Sequence, residues 1–139
     1  MKTLSFLLIL ACSAGTFVGC GGGSKGPATF PVSGKVTFDG APLAEGQIIF
    51  RDADGKLASG AGKIENGEFA FQAIAGKKEV VITATKEIPG KTVEGGAPDE
   101  PPVPAMEQFI PEKYNEKTTL EANVSDSGSN AYSFDLTSK

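Results

Sequence analysis

Histidine and tryptophan are both missing from these 139 residues. Without histidine there is no Ser-His-Asp or Cys-His nucleophilic centre, no His-bearing zinc site, and no access to the commonest general base. Without tryptophan the largest aromatic platform for a sugar ring is gone. Cysteine occurs twice, as Cys12 and Cys20. Basic blocks are short: none exceeds Lys77-Lys78, a pair that reads as a solvated strand end. Thirteen basic and seventeen acidic residues leave a net charge of −4. That balance makes nucleic acid and anionic lipid poor partners. No glycine-rich loop follows a strand and opens a helix, so no phosphate cradle is expected. Only one long apolar run exists, Leu4 to Val18. It covers about 15 residues, interrupted by Ser13, Gly15 and Thr16, against roughly 20 for a bilayer span.

What is present at the N-terminus has the three parts of a removable leader. Lys2 gives a positive start, Leu4–Leu10 an apolar centre, and small residues lead to Gly19. Residues 1–19 are therefore expected to be a signal peptide. Val18-Gly19-Cys20 resembles the bacterial lipobox, whose cysteine receives a diacylglycerol before cleavage; Phe17 stands where leucine is usual. Cys12 is a second candidate, but cleavage there would leave a very short apolar centre. Gly21-Gly22-Gly23-Ser24 directly after Cys20 supplies the flexible tether that an anchored domain needs, so residues 20–29 are read as tether. The resemblance implies lipid attachment at Cys20, palmitate among the acyl groups, and a place on the periplasmic or cell-surface side of a membrane. Two or more acyl chains hold a protein stably where one does not. With Lys2 removed the charge becomes −5, twelve basic against seventeen acidic. A single remaining cysteine allows no intrachain disulfide, so the domain must rest on its apolar core.

From residue 30 to 139 the pattern is β. Val32, Val36 and Phe38 alternate with Lys35 and Thr37; Ile48 and Phe50 share a face; Phe69 and Phe71 follow at a spacing of two. Val80, Ile82 and Ala84 point one way, and Val81, Thr83 and Thr85 the other. Leu120, Ala122 and Val124, then Tyr132, Phe134 and Leu136, complete the inward set. Asp39-Gly40 and Asn66-Gly67 are turns, the second a type I′ hairpin. A weak strand is expected over 57–64, pairing with 69–71. Leu43 is expected to plug the sandwich edge from a loop. Seven short strands with no helical period predict an all-β, seven-stranded antiparallel β-sandwich with a Greek-key connection.

Residues 86–118 break the rhythm and carry six of the nine prolines. A loop of this length is functional or disordered as a rule. Its acidic centre, 94–104, is expected to be extended and mobile. Phe109-Ile110-Pro111 and Tyr114 are expected to dock back on the domain.

Pro31-Val32-Ser33-Gly34-Lys35-Val36 with Asp39-Gly40-Ala41-Pro42-Leu43 resembles the opening of carboxypeptidase regulatory-like domains. Asn66-Gly67-Glu68-Phe69 and Ala75-Gly76-Lys77-Lys78-Glu79-Val80 are similar to two later strands of that family. Ala75 replaces a common proline there, and Glu79 a common aromatic. Short bacterial lipoproteins with this domain also carry a long Pro-rich insertion and a Tyr-Asn element like Tyr114-Asn115. The resemblance implies a transthyretin-like or Cna-B-like sandwich of the kind found beside peptidases, in carbohydrate-binding modules and in adhesin repeats. Fold alone implies no activity.

Candidate chemistry is sparse. Asp52-x-Asp54-Gly55 resembles the start of a calcium loop, yet Lys63 occupies the place of the bidentate glutamate, so a plain turn is the expectation. Asp99-Glu100 reads as solvated charge. Lys35 and Asn123 could form an intramolecular isopeptide bond only if both faced inward, and the alternation points both outward. Asn123-Val124-Ser125 matches a glycosylation sequon on a core-facing strand. No catalytic residue, cofactor or metal ligand is assigned. Candidate ligand-facing residues are Tyr114, Val81 and Thr83. The expected function is a lipid-anchored, non-catalytic binding or structural module meeting a protein or glycan partner. A carbohydrate- or peptidoglycan-binding module is the alternative, and a carboxylate-dependent enzyme a weaker one.

Overall fold

The computed structural model describes residues 26–97 and 99–139. The leader and Cys20 lie outside the described residues. Ten strands follow in order: β1 (Thr29–Phe38), β2 (Ala41–Pro42), β3 (Glu45–Asp52), β4 (Gly60–Glu65), β5 (Glu68–Ile74), β6 (Gly76–Thr83), β7 (Thr85–Val93), β8 (Val103–Gln108), β9 (Glu121–Val124) and β10 (Ala131–Leu136). A 3₁₀ turn, Glu112–Tyr114, stands between β8 and β9.

Seven of these strands form one path, β10-β1-β5-β4-β3-β6-β9, with β2 paired to β1. The path folds over on itself at the β4–β5 hairpin. Only Ile64–Phe69 and Glu65–Glu68 pair there. Beyond them β4 diverges from β5, and the ring of Phe71 fills the opening against Gly62 and Gly60. One layer is therefore β10-β1-β5 and the other β4-β3-β6-β9, an all-β sandwich. Asn66 and Gly67 both have positive φ, 52° and 78°, as a type I′ hairpin requires. Asp39 and Gly40 do the same, at 49° and 83°.

Period-two patterning puts the apolar set between the layers. Val32, Val36, Ile48, Phe50, Ile64, Phe69, Val80, Ile82, Ala84, Ala122, Val124, Phe134 and Leu136 are all buried, with Leu43 closing one edge. Phe50 is the hub: the rings of Phe71, Tyr132, Phe69 and Phe134 lie 5.1, 5.5, 6.4 and 6.4 Å from its centroid, each near edge-to-face. That geometry suits the ring quadrupoles.

Three features differ from the sequence expectation. First, β10 runs parallel to β1, with Val36 opposite Phe134. The crossing from β9 to β10 sits where β1 begins: the Ser33 amide donates to the Asn130 carbonyl at 3.0 Å. A strand starting there beside β1 must share its direction. Second, the expected strand at 57–64 begins only at Gly60. The Asp52 carboxylate holds the Lys56 and Leu57 amides at 2.9 and 3.2 Å and keeps them in the turn. Third, much of the expected 86–118 loop is a two-stranded ribbon, β7–β8, with a register shift between Glu87 and Thr92. Pro89 falls within that irregular stretch, where β7 has no register partner, and Pro104, opposite Thr92, lies on a ribbon with two edge strands, where proline is tolerated.

The open edges of the sandwich are closed by side chains. Tyr132, whose phenol burial pushes up from its ordinary pKa, donates from its hydroxyl to the Asn123 carbonyl at 2.6 Å, joining β10 to β9. Asn130, buried, accepts from the Ser125 amide at 2.8 Å and donates to the Ser125 carbonyl at 3.0 Å. A Tyr132→Phe chain keeps the ring stack and loses only this bond. Chemical denaturation is expected to show a loss of about 1 kcal/mol with an unchanged slope.

Candidate functional site

The outer face of the four-stranded layer carries two of the expected ligand-facing residues. Val81 stands opposite Ile49 and Thr83 opposite Gln47. Val81 and Thr83 are half-buried. Charged pairs bound the patch: Arg51–Glu79 at 2.7 Å and Lys77–Glu121 at 2.8 Å. The outward positions of β3, β4, β6 and β9 hold no aromatic ring. A sugar would find hydrogen bonds here but no stacking platform.

Tyr114 is half-buried against the core rather than presented to a ligand. Its hydroxyl accepts from the Thr137 amide at 3.1 Å and lies 3.3 Å from Thr137 Oγ1. These two bonds, the side-chain one first, hold its pKa below the ordinary phenol value. Lys113 Nζ lies 4.9 Å over its ring and also reaches the Lys139 carbonyl. Tyr114 thus pins the C-terminal segment. Its neighbour Asn115 is buried, donating to the Ile110 and Pro111 carbonyls at 3.0 and 3.2 Å. The Tyr-Asn element therefore closes the turn after Ile110, which is itself in the core.

The strongest polar arrangement is inside the sandwich. Lys78 is 1% exposed, and its Nζ lies 2.9 Å from Asp52 Oδ1, whose side chain is 8% exposed. Lys78 is thus no solvated strand end; only Lys77 is. Asp52 and Lys78 face each other as a register pair of β3 and β6. The second carboxylate oxygen accepts the Lys56 and Leu57 amides. Together the Lys78 bond and these amides hold the Asp52 carboxyl below its usual range. All of Asp52's oxygens are thereby committed, which leaves Asp52-x-Asp54-Gly55 as a turn. Among the described residues no group of three metal-ligating side chains converges.

Lys35 and Asn123 are not brought together. Lys35 points outward from β1 with its Nζ 3.9 Å from Glu68 Oε1, while Asn123 lies on β9 opposite Lys77, in the other layer. An isopeptide bond between them is excluded by that placement. An open groove of about 950 Å³ lies over the outer face of β10-β1-β5, lined by Ser33, Ala70 and Ser133 and flanked by Lys35, Lys63 and Glu68. Its floor is small and flat.

The ribbon β7–β8 forms a two-stranded sheet of its own, apart from the seven-strand path, with Ala105 buried and Met106 beside Gln47 and Lys63 of β3 and β4 at its base. It springs from the end where β1 finishes. The Phe109 amide donates to the Ala84 carbonyl at 3.2 Å, Gln108 Oε1 accepts the Ala84 amide at 2.9 Å, and the Phe109 ring meets Phe38 at 5.4 Å. β1 begins at the opposite end, with Thr29 beside Ile74. The chain therefore enters the sandwich at one pole, at Thr29, and the ribbon springs from the other. Of the four large apolar side chains that the described residues expose, three are on the ribbon: Val93, Val103 and Met106, 50, 46 and 53% exposed.

Fold and surface together define a class: a closed β-sandwich with a protruding ribbon, in which the buried polar groups of the described residues are satisfied within the fold. No known protein family, curated protein or solved structure matches the chain.

Proposed function

We propose that this chain is a lipid-anchored, non-catalytic module of the cell envelope that works by binding or by structure. The observation that carries the reading is Cys20: it ends a leader-like run, starts a glycine-rich tether, and is the only cysteine after the leader. A thiol left free there, in an oxidising compartment, would be a liability; a thioether to diacylglycerol removes it. The arrangement of the sandwich supports the non-catalytic part. Its buried polar side chains, Asp52, Lys78, Asn115 and Asn130, are each engaged in holding strands or turns. The entry of the chain at one pole and the ribbon at the other suit a domain held to a membrane at one end and meeting a partner at the other.

Metabolic labelling with a palmitate analogue tests the anchor. The wild-type chain is expected to label and to remain in the membrane fraction through a high-salt wash. The Cys20→Ser chain is expected to lose the label and to retain its leader. Equal labelling of the two chains would sink the proposal.

A further inference from the structure

We infer that the β7–β8 ribbon is a docking element whose partner is a basic protein segment with an apolar face. The inference extends the binding reading proposed above and is independent of how the chain is anchored.

The ribbon is poorly made for standing alone. A single two-stranded hairpin is marginal in water, and this one exposes apolar groups on both faces. Val93 and Val103 face each other as a register pair. Met106, opposite Glu87, points to the other side, because neighbouring positions of a strand alternate. Single exposed apolar residues need no explanation, but three of the four large ones gathered on one protruding element do. Met106 adds a flexible thioether, which adapts to varied apolar surfaces.

Charge selects among the occupants. Residues 85–108 carry Lys86 and Lys91 against Glu87, Glu94, Asp99, Glu100 and Glu107, so two minus five gives −3. Lys86 is already paired with Glu107 at 3.2 Å. Glu94, Asp99 and Glu100 are exposed at the tip beside Val93 and Val103. A second copy would bring like charge against like charge. Strand addition along an edge is disfavoured by Pro89 in β7 and Pro104 in β8, neither of which has an amide to donate. What fits is an occupant that covers the faces with apolar groups and answers the tip with Lys or Arg. In such a contact the charges govern the speed and selectivity of docking and the apolar groups its lifetime.

The test pans a random twelve-residue peptide display library against the full-length protein in detergent. The selected peptides are expected to be rich in Lys and Arg with alternating or amphipathic apolar residues. A synthetic copy of the leading peptide should bind the wild type and lose at least tenfold in affinity to the chain carrying Val93→Ser, Val103→Ser and Met106→Ser. A second chain, with Glu94→Gln, Asp99→Asn and Glu100→Gln, should bind more slowly and with weaker salt dependence. Thermal unfolding of both chains should match the wild type, since every altered side chain is exposed. Neutral or acidic selected peptides, no enrichment, or binding unchanged by both sets of substitutions would overturn the inference. Palmitate labelling reports separately on the anchor, so either idea can fail alone.

Discussion

A Gly34→Ala chain will unfold at a clearly lower urea concentration than the wild type. Gly34 sits in the middle of β1, facing inward, between Tyr132 of β10 and Phe69 of β5. A Cβ there would overlap the Tyr132 carbonyl oxygen and lie 2.7 Å from Phe69 Cζ. The oxygen belongs to backbone, so it can move only if β10 moves. Overpacking of a core commonly costs about 1–3 kcal/mol, and more when backbone must shift. Here both neighbouring strands are held by side chains as well as by their ladders. The expected loss is therefore at the top of that range, about 3 kcal/mol or more. A domain of this size has a total stability on the order of 5–15 kcal/mol. Urea unfolding monitored by tyrosine fluorescence checks it. A midpoint within error of the wild type would show that β10 has slack that the close approach does not suggest. This glycine is also the one in the Val32-Ser33-Gly34-Lys35-Val36 motif, so its presence has a packing reason that is independent of any binding role.

The second large effect is expected at the buried ion pair. Lys78→Ala removes the ammonium and leaves the Asp52 carboxylate against the core with only the Lys56 and Leu57 amides. Breaking a buried pair from one side costs about 3 kcal/mol or more. Replacing both members should cost much less, because no uncompensated charge remains: Lys78→Met with Asp52→Asn is expected to recover most of the stability lost by Lys78→Ala. The pH dependence follows from the depressed Asp52 carboxyl. Its folded pKa lies below the unfolded value near 3.9. The stabilisation is thus complete above about pH 4 and is lost as pH falls through the folded value. Stability should be flat from pH 5 to 8 and decline below 4, less steeply in Asp52→Asn. An equal acid slope in both chains would assign the decline to exposed carboxylates such as Glu112, whose pKa is lowered by its bond to Lys117.

The same pair marks a boundary of what the sequence makes legible. Alternation places Val80 and Ile82 inward, and Lys78 is the next residue inward on that face. Ile48 and Phe50 point inward, and Asp52 follows them. The period of two thus puts an acid and a base on facing inward positions. Composition points the other way, because a Lys-Lys pair beside a glycine has the character of a solvated strand end. The two signals conflict only at such polar inward positions; along the apolar core they agree. Each aliphatic and aromatic position expected inward is buried or packed against the core, because burial on a pleated surface leaves a strict trace in sequence. Strand direction leaves none. The parallel β1–β10 pair depends on where the β9–β10 crossing lies, a long-range fact. The ribbon is masked by its prolines, which β structure tolerates on edge strands and in irregular stretches. Of the three candidate ligand-facing residues, Val81 and Thr83 are outward but half-buried and flanked by ion pairs, and Tyr114 is occupied with Thr137.

Of the two proposals, the lipid anchor at Cys20 comes first, because the docking ribbon extends the binding reading it belongs to. The anchor's most direct test is the mass of the N-terminal peptide of the mature protein, isolated from the membrane fraction of cells that make it. The account predicts a peptide beginning at Cys20 and carrying a diacylglyceryl group on the thiol. A mature chain beginning elsewhere, or an unmodified Cys20, would contradict it.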